Sequence, residues 1–124
     1  WAHMEDVITD SHFVTRDRMG RTLAFLARQI RDGHASSALG MAVNEATSVV
    51  VDKQGLARVM GGGPAYFILA EHFPEVCEPS TPLTYSNFKI WKVAAGGTFN
   101  LASRPTTGFY LVSVTGGALS GDPY

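Results

Sequence analysis

Apolar residues recur every three or four positions between residues 18 and 31, as they do on one face of an α-helix. Four of them form a single stripe at spacings of four, three and four: Met19, Leu23, Leu26 and Ile30. The pair Asp32-Gly33 follows, and glycine readily adopts the left-handed conformation that ends many helices. The pattern predicts an amphipathic helix over residues 18–31.

Short apolar runs flank this helix and predict strands around Val7 and Ile8 and over residues 40–43. A strand, a helix and a strand joined by short connections favour a parallel pair with a right-handed crossover. The loop after the first strand then lies at the carboxyl edge of the sheet, where open α/β sheets bind ligands. His12 is on this loop, so we expect it at a ligand-binding edge.

The rest of the chain has a strand-like pattern. Residues 47–52 and 56–60 predict a hairpin that turns at Gly55, because both runs are rich in β-branched or apolar residues. Glycines 61–63 and Pro64 predict a tight connection between strands and divide the chain into an α/β part, 1–62, and a β-rich part, 63–124. Further strands are predicted over residues 65–69, 88–93 and 109–114.

Composition narrows the function classes. The chain has 124 residues, of which 45% are hydrophobic, and a net charge of -1 without a basic face, so we expect no nucleic-acid partner. No run of eighteen apolar residues predicts a membrane span, and the compartment, cytoplasmic or secreted, stays open. Cys77 is the only cysteine, which excludes an internal disulfide, and we expect it to be an inert thiol.

Residues 10–21 concentrate the groups that carry chemistry. His12 lies near the carboxylate of Asp10 and precedes three arginines, Arg16, Arg18 and Arg21. An imidazole moves protons near neutral pH, and guanidinium groups bind carboxylates in a bidentate manner. This combination is typical of an enzyme that cleaves peptides, but a solvated surface histidine beside arginines at a helix start is the plain alternative.

Asn44 and Glu45 follow the second parallel strand and are predicted to return to the same sheet edge as His12. Glu45 would then support the site, or it would simply cap a turn. His34 and His72 are predicted in exposed or strand-end positions, and the histidines and acids lack the spaced pairs of a metal site. We therefore expect neither a metal nor another cofactor.

Two segments of the chain resemble a known family. Residues 10–21 have the order Asp-x-His-Phe-x-x-Arg-x-Arg-hydrophobic-Gly-Arg, and residues 40–47 have Gly-hydrophobic-x-hydrophobic-Asn-Glu-x-Thr. Both resemble segments of cyanophycinase and its relatives, which are serine peptidases that include the aspartyl dipeptidases, and the first is the segment with the catalytic histidine. The resemblance implies the C-terminal half of a doubly wound, class I glutamine-amidotransferase-like sheet with a β-rich C-terminal portion.

The resemblance also implies the roles of residues. His12 would be the general base in the hydrolysis of acidic, Asp-containing peptides, and the substrate would be held by five residues: Asp10, Ser11, Arg16, Arg18 and Arg21. The sequence departs from the family at two of the positions in this segment. Ser11 stands where cyanophycinase has a glutamine, and Asp17 stands where a glycine is usual, so its charge would partly offset the arginines.

The nucleophile of the family is a serine on a Gly-x-Ser-x-Gly turn between a strand and a helix, and this chain has no such motif. We therefore expect the serine to come from an N-terminal half or a companion chain. Half of such a sheet would also leave an unpaired edge, which predicts a homo- or hetero-oligomer. The alternatives are a binding module without the nucleophile and an interaction subunit that uses the β-rich part.

Overall fold

The computed structural model describes residues 1–124 and contains one α-helix and nine strands. After a short 3₁₀ turn at Ala2–Met4, the elements are β1 (Val7–Asp10), α1 (Met19–Arg31), β2 (Ala38–Val43), β3 (Thr47–Val51), β4 (Leu56–Gly61), β5 (Ala65–Ala70), β6 (Tyr85–Val93), β7 (Thr98–Asn100), β8 (Tyr110–Thr115) and β9 (Ala118–Leu119). The predicted helix, the hairpin β3–β4 and the other predicted strands are all present. The chain is an α/β protein in which strands predominate.

The strands form two sheets. The larger has the order β1-β2-β5-β6-β8-β9, and the smaller has the order β3-β4-β7. β1 and β2 are parallel, with Val7 opposite Leu39 and Asp10 opposite Ala42, whereas all other pairs are antiparallel. The parallel pair confirms the predicted strand–helix–strand unit, and it places the ends of β1 and β2 at one edge of the sheet.

The larger sheet lies between two apolar layers. β5 is buried along its whole length, and its alternate residues belong to different cores. Tyr66 and Ile68 pack with the apolar stripe of α1, whereas Phe67 and Leu69 pack with residues of the smaller sheet. The fold is therefore a helix, a mixed six-stranded sheet and a three-stranded sheet in three layers.

A glycine on β2 lets the helix approach the sheet closely. A Cβ atom at Gly40 would meet the side chains of Leu26 and Thr22 on α1 at 3.3 Å each. Six residues of the helix are buried against this surface: Met19, Thr22, Leu23, Leu26, Ala27 and Ile30. No helix of the structure is long and apolar enough to cross a membrane.

The short strands β7 and β9 have no pattern that predicts them. β7 has three residues and exists because it pairs with β4, where the Phe99 ring stacks on Phe67 with centroids 4.1 Å apart. The two parts predicted from the sequence, residues 1–62 and 63–124, share both sheets. β2 of the first part pairs with β5 of the second, and β4 of the first pairs with β7 of the second.

Candidate active site

The loop between β1 and α1 is a tight turn tied to the end of β2. The backbone NH of Phe13 donates to the Val43 carbonyl at 3.1 Å, and that of Val14 donates to Oδ1 of Asn44 at 3.2 Å. Phe13 is fully buried and anchors the loop in the core. His12 precedes this anchor with a φ of 49°, a left-handed conformation that only the surrounding contacts can maintain.

His12 forms a hydrogen bond with Glu45 across this edge of the sheet. Nδ1 of His12 lies 3.0 Å from Oε1 of Glu45, although the two residues are 33 positions apart. A carboxylate only accepts hydrogen bonds, so Nδ1 carries the proton and Nε2 is the basic nitrogen. Their side chains are 44% and 57% exposed, so a substrate can reach the imidazole. The pair has the arrangement of a general base oriented by an acid.

The turn that presents Glu45 is built by hydrogen bonds to its backbone. Oγ1 of Thr47 donates to the Glu45 carbonyl at 3.0 Å and accepts from the NH of Gly63 at 2.9 Å. Ala46 has a φ of 51°, and its carbonyl accepts from the NH of Gly62 at 2.9 Å. Gly62 and Gly63, which belong to the predicted tight connection 61–63, therefore bind the Glu45 turn through their NH groups.

Asp10 lies beneath the loop, with its side chain only 7% exposed. Its carboxylate accepts hydrogen bonds from Arg18 at 3.1 Å, from Arg21 at 2.6 and 3.0 Å, and from the Thr22 hydroxyl at 3.0 Å. Burial acts to raise the pKa of Asp10, but the bonds from Arg21, the Ser11 backbone, Thr22 and Arg18 together lower it to about 2. Asp10 is therefore ionised and joins the loop to the first turn of α1.

The structure separates the three arginines into two groups. Arg18 and Arg21 bind Asp10, and Arg18 also donates to the Ser11 carbonyl at 2.8 Å. Arg16 is exposed and makes no side-chain hydrogen bond or ion pair with the rest of the chain. Ser11 is exposed as well. Arg16 is therefore the arginine of this loop whose guanidinium group is free for a ligand.

Sequence reasoning missed two contributors to the site. Thr22 is a buried helix residue that binds Asp10, and Tyr124 donates from its hydroxyl to Asp17 in the loop at 2.9 Å. The spacing of Arg21 and Thr22 from Arg18, three and four positions, was the only available signal, since residues at these spacings share a helix face. Tyr124 lies 107 positions from Asp17, and no local pattern connects them.

The remaining candidates lie away from this edge. His34 is exposed, and no group of three His, Cys, Asp or Glu side chains is placed to hold a metal ion. Burial raises the pKa of the Cys77 thiol, with Asp32 and Glu78 adding to the shift against Arg28 and Arg31. The thiol is therefore protonated near neutral pH and a poor nucleophile.

No protein-family model matches the chain. The chain is 29% identical over 103 residues to the cyanophycinase of Trichormus variabilis, and it is equally similar to that of Nostoc sp.. The alignment covers 80% of this chain but 33% of each relative, so the chain spans about a third of the length of the curated relatives it matches. The similarity supports a cyanophycinase-like relationship.

Proposed function

We propose that this chain is the histidine-bearing segment of a cyanophycinase-like serine peptidase, with His12 as the general base. The observation that carries the proposal is the hydrogen bond between Nδ1 of His12 and Glu45 at the exposed carboxyl edge of a parallel strand pair. The similarity to two cyanophycinases supports the same reaction class.

In the proposed reaction, Nε2 of His12 removes the proton from a serine hydroxyl while the serine oxygen attacks the peptide carbonyl. Glu45 stabilises the imidazolium that forms, and His12 then gives the proton to the leaving amine. Water hydrolyses the acyl-enzyme with His12 again acting as the base. In this proposal Glu45 orients the imidazole, which is the site-supporting role rather than turn capping.

The serine is proposed to come from a preceding segment or a companion chain. In this chain the only side-chain hydrogen bond of His12 is with Glu45, and no serine occupies the other ring nitrogen. β1 is an edge strand of the larger sheet, and its sequence, Val7 to Asp10, contains no lysine or proline that would protect an edge. A strand from the serine-bearing segment would pair there and complete a doubly wound, glutamine-amidotransferase-like sheet.

The proposed substrate is an acidic, Asp-containing peptide. Arg16 would bind the substrate carboxylate, with the Ser11 hydroxyl as a neighbouring polar group, since both are exposed on the His12 loop. Arg18, Arg21 and Asp10 would form the floor of the site, because both guanidinium groups already bind the Asp10 carboxylate. Substrate recognition would therefore depend on one free guanidinium rather than on three.

A non-catalytic binding module is the second candidate, and the absence of a serine partner for His12 within this chain favours it. A fluorophosphonate probe distinguishes the two functions, because it labels only an activated serine. Labelling of a companion polypeptide or preceding segment, which stops when His12 is replaced, supports the peptidase. An assembly with no labelled polypeptide supports the binding module.

The peptidase proposal is tested with His12→Ala and Glu45→Gln in the assembly that contains the serine. We expect His12→Ala to lower kcat by about three orders of magnitude or more, and Glu45→Gln to lower it less. His3→Ala is the matched control, since the His3 side chain forms its hydrogen bond with the Lys53 carbonyl in the β3–β4 turn and takes no part in the candidate site. A loss below about tenfold for His12→Ala would remove His12 from the mechanism.

A further inference from the structure

The hydroxyl of Tyr124 connects two parts of the site loop. It donates to Oδ1 of Asp17 at 2.9 Å and accepts from the backbone NH of Met19, at the start of α1, at 3.0 Å. One phenol therefore bridges the end of the His12 loop and the beginning of the helix. Neither contact is used in the proposed reaction.

The ring of Tyr124 is fixed by an aromatic cluster under the same loop. It packs edge-on against Phe13 and Tyr66, with centroids 5.7 and 5.9 Å away. Phe13 directly follows His12 and is fully buried. Because the ring contacts the anchor and the hydroxyl contacts the far end of the loop, Tyr124 supports residues 13–19 at two points.

A second tyrosine holds the backbone that carries Tyr124. The Tyr110 hydroxyl on β8 donates to the Pro123 carbonyl at 2.6 Å, and the NH of Tyr124 donates to Oδ1 of Asp122 at 3.0 Å. Pro123 is buried. The segment 122–124 is thus bound to the sheet, and it can transmit the rigidity of β8 to the loop.

The backbone of Asp17 has an unfavourable conformation, which the hydrogen bond from Tyr124 helps to maintain. Its φ of 46° lies in the left-handed region, which costs a non-glycine residue free energy. The aspartate occupies a glycine conformation and receives a hydrogen bond that glycine could not accept, so Asp17 and Tyr124 form a single unit.

We propose that Tyr124 is a positioning residue for the candidate active site, which holds the 11–18 loop in the shape that presents His12 and Arg16. The proposal deepens the proposed function and rests on it for its kinetic consequences. The loop geometry itself can be measured without any activity.

The structural test is amide hydrogen exchange in Tyr124→Phe, which keeps the ring and removes both hydrogen bonds. We expect exchange at Phe13 and Val14, whose NH groups bond to the end of β2, to accelerate about tenfold. The matched control is Tyr85→Phe, because the Tyr85 hydroxyl also accepts a backbone NH and donates to a carbonyl, both of His72. Equal exchange in the two variants would overturn the proposal.

The kinetic test uses the assembly that contains the serine. General destabilisation lowers the amount of active enzyme and leaves KM unchanged, whereas a displaced Arg16 raises KM. We expect Tyr124→Phe to lower kcat/KM for acidic peptides about tenfold with a rise in KM, and Tyr85→Phe to leave KM unchanged. An unchanged KM in Tyr124→Phe would reduce Tyr124 to a packing residue and overturn the positioning role.

A double variant tests whether Tyr124 acts through Asp17. Asp17→Gly removes the acceptor without backbone strain, so adding Tyr124→Phe to it should have less than its full effect. If the effects of Asp17→Gly and Tyr124→Phe on amide exchange were fully additive, the two residues would act independently and the coupling between them would be contradicted. If faster exchange is confined to Tyr124→Phe but His12→Ala leaves peptidase activity intact, the positioning of the loop stands and the proposed function fails.

Discussion

At the level of single residues, His72 has an unusual set of partners. Its Nδ1 lies 2.9 Å from the Phe73 carbonyl and its Nε2 lies 2.6 Å from the Ser86 carbonyl. Carbonyl oxygens only accept, so both nitrogens donate only when the imidazole is protonated. The ring also stacks on Tyr85 with centroids 4.2 Å apart. The structure therefore favours an imidazolium at the start of the β5–β6 connection.

The charges around His72 agree with this state. Burial acts to lower the pKa of His72, but the two carbonyl acceptors and the carboxylates of Glu75 and Glu71 outweigh it and raise the pKa above its ordinary value. Glu71 also pairs with Lys89, and Glu75 accepts from the backbone NH and hydroxyl of Ser86. These acidic groups favour the imidazolium of His72 over the neutral ring.

The stability of the chain should therefore depend on pH through His72. A raised folded-state pKa gives stabilisation that is fully present below the ordinary value of 6.5 and is lost as the pH rises through the folded-state pKa. We expect the free energy of unfolding to fall as the pH rises above the ordinary value of 6.5, and His72→Gln to remove most of this slope. Denaturant titrations at several pH values measure this pH dependence of the free energy of unfolding. His34→Gln should keep the slope, and an unchanged slope in His72→Gln would contradict the assignment.

Arg16 should act on substrate recognition. Lysine keeps the charge but not the bidentate contact, so Arg16→Lys should raise KM for acidic peptides severalfold to about tenfold and change kcat less. Arg58→Lys is a suitable control, since Arg58 on β4 is also exposed and unpaired. The measurement is the ratio of kcat/KM for acidic and neutral peptides. A ratio that Arg16→Lys leaves unchanged would exclude Arg16 from substrate binding.

At the level of elements, the end of β4 controls the turn that presents Glu45. Gly61 has a φ of 106°, and a Cβ atom there would lie 2.1 Å from the Ala46 carbonyl oxygen, which the backbone must move to avoid. Ala46 directly follows Glu45. The β3–β4 hairpin therefore contributes to the site through the backbone of Gly61 as well as through the hydroxyl of Thr47 at the start of β3.

Gly61→Ala should destabilise the chain and displace Glu45. We expect a loss of about 2 kcal/mol or more in the free energy of unfolding, because both the conformation and the contact are unfavourable for alanine. Gly62→Ala is the adjacent control, since its Cβ would meet no atom closer than 3.8 Å. Chemical denaturation of both variants gives the comparison, and similar losses in the two would mean that the contact with Ala46 is relieved at little cost.

At the level of the whole molecule, β1 is an edge strand of the larger sheet and pairs with another strand, β2, on one side only. Beside this edge strand, Ile8 of β1 and Phe25 of α1 line a cleft with polar residues of the helix end, and Phe25 is 50% exposed. An unprotected edge next to an exposed aromatic ring is typical of an interface. This surface is where we propose that the serine-bearing segment or chain docks.

Phe25→Glu should therefore weaken the association without unfolding the chain. The introduced charge would be buried in the interface, so we expect affinity for the serine-bearing segment to fall by at least about tenfold. Phe73→Glu is the control, because Phe73 is 65% exposed and does not line the cleft beside β1. Sedimentation of each variant with the serine-bearing segment measures binding. Equal affinities for the two variants would place the interface elsewhere.

The sequence alone determined the elements that depend on local patterns. The apolar stripe from Met19 to Ile30 specifies α1, because residues three and four apart share one face whatever the rest of the chain does. The short connections around α1 predicted the parallel pair, and with it the edge position of His12, because right-handed crossovers are strongly preferred. These features follow from backbone sterics and nearest-neighbour spacing.

The tertiary structure decided which of these groups bind one another. Asp10, Arg18 and Arg21 are neighbours in sequence and looked like a ligand set, yet they pair together because a buried carboxylate requires partners. The Glu45 contact with His12 and the Tyr124 contact with Asp17 join residues 33 and 107 positions apart. Such contacts depend on how strands and helix pack in three dimensions, and no local periodicity encodes them.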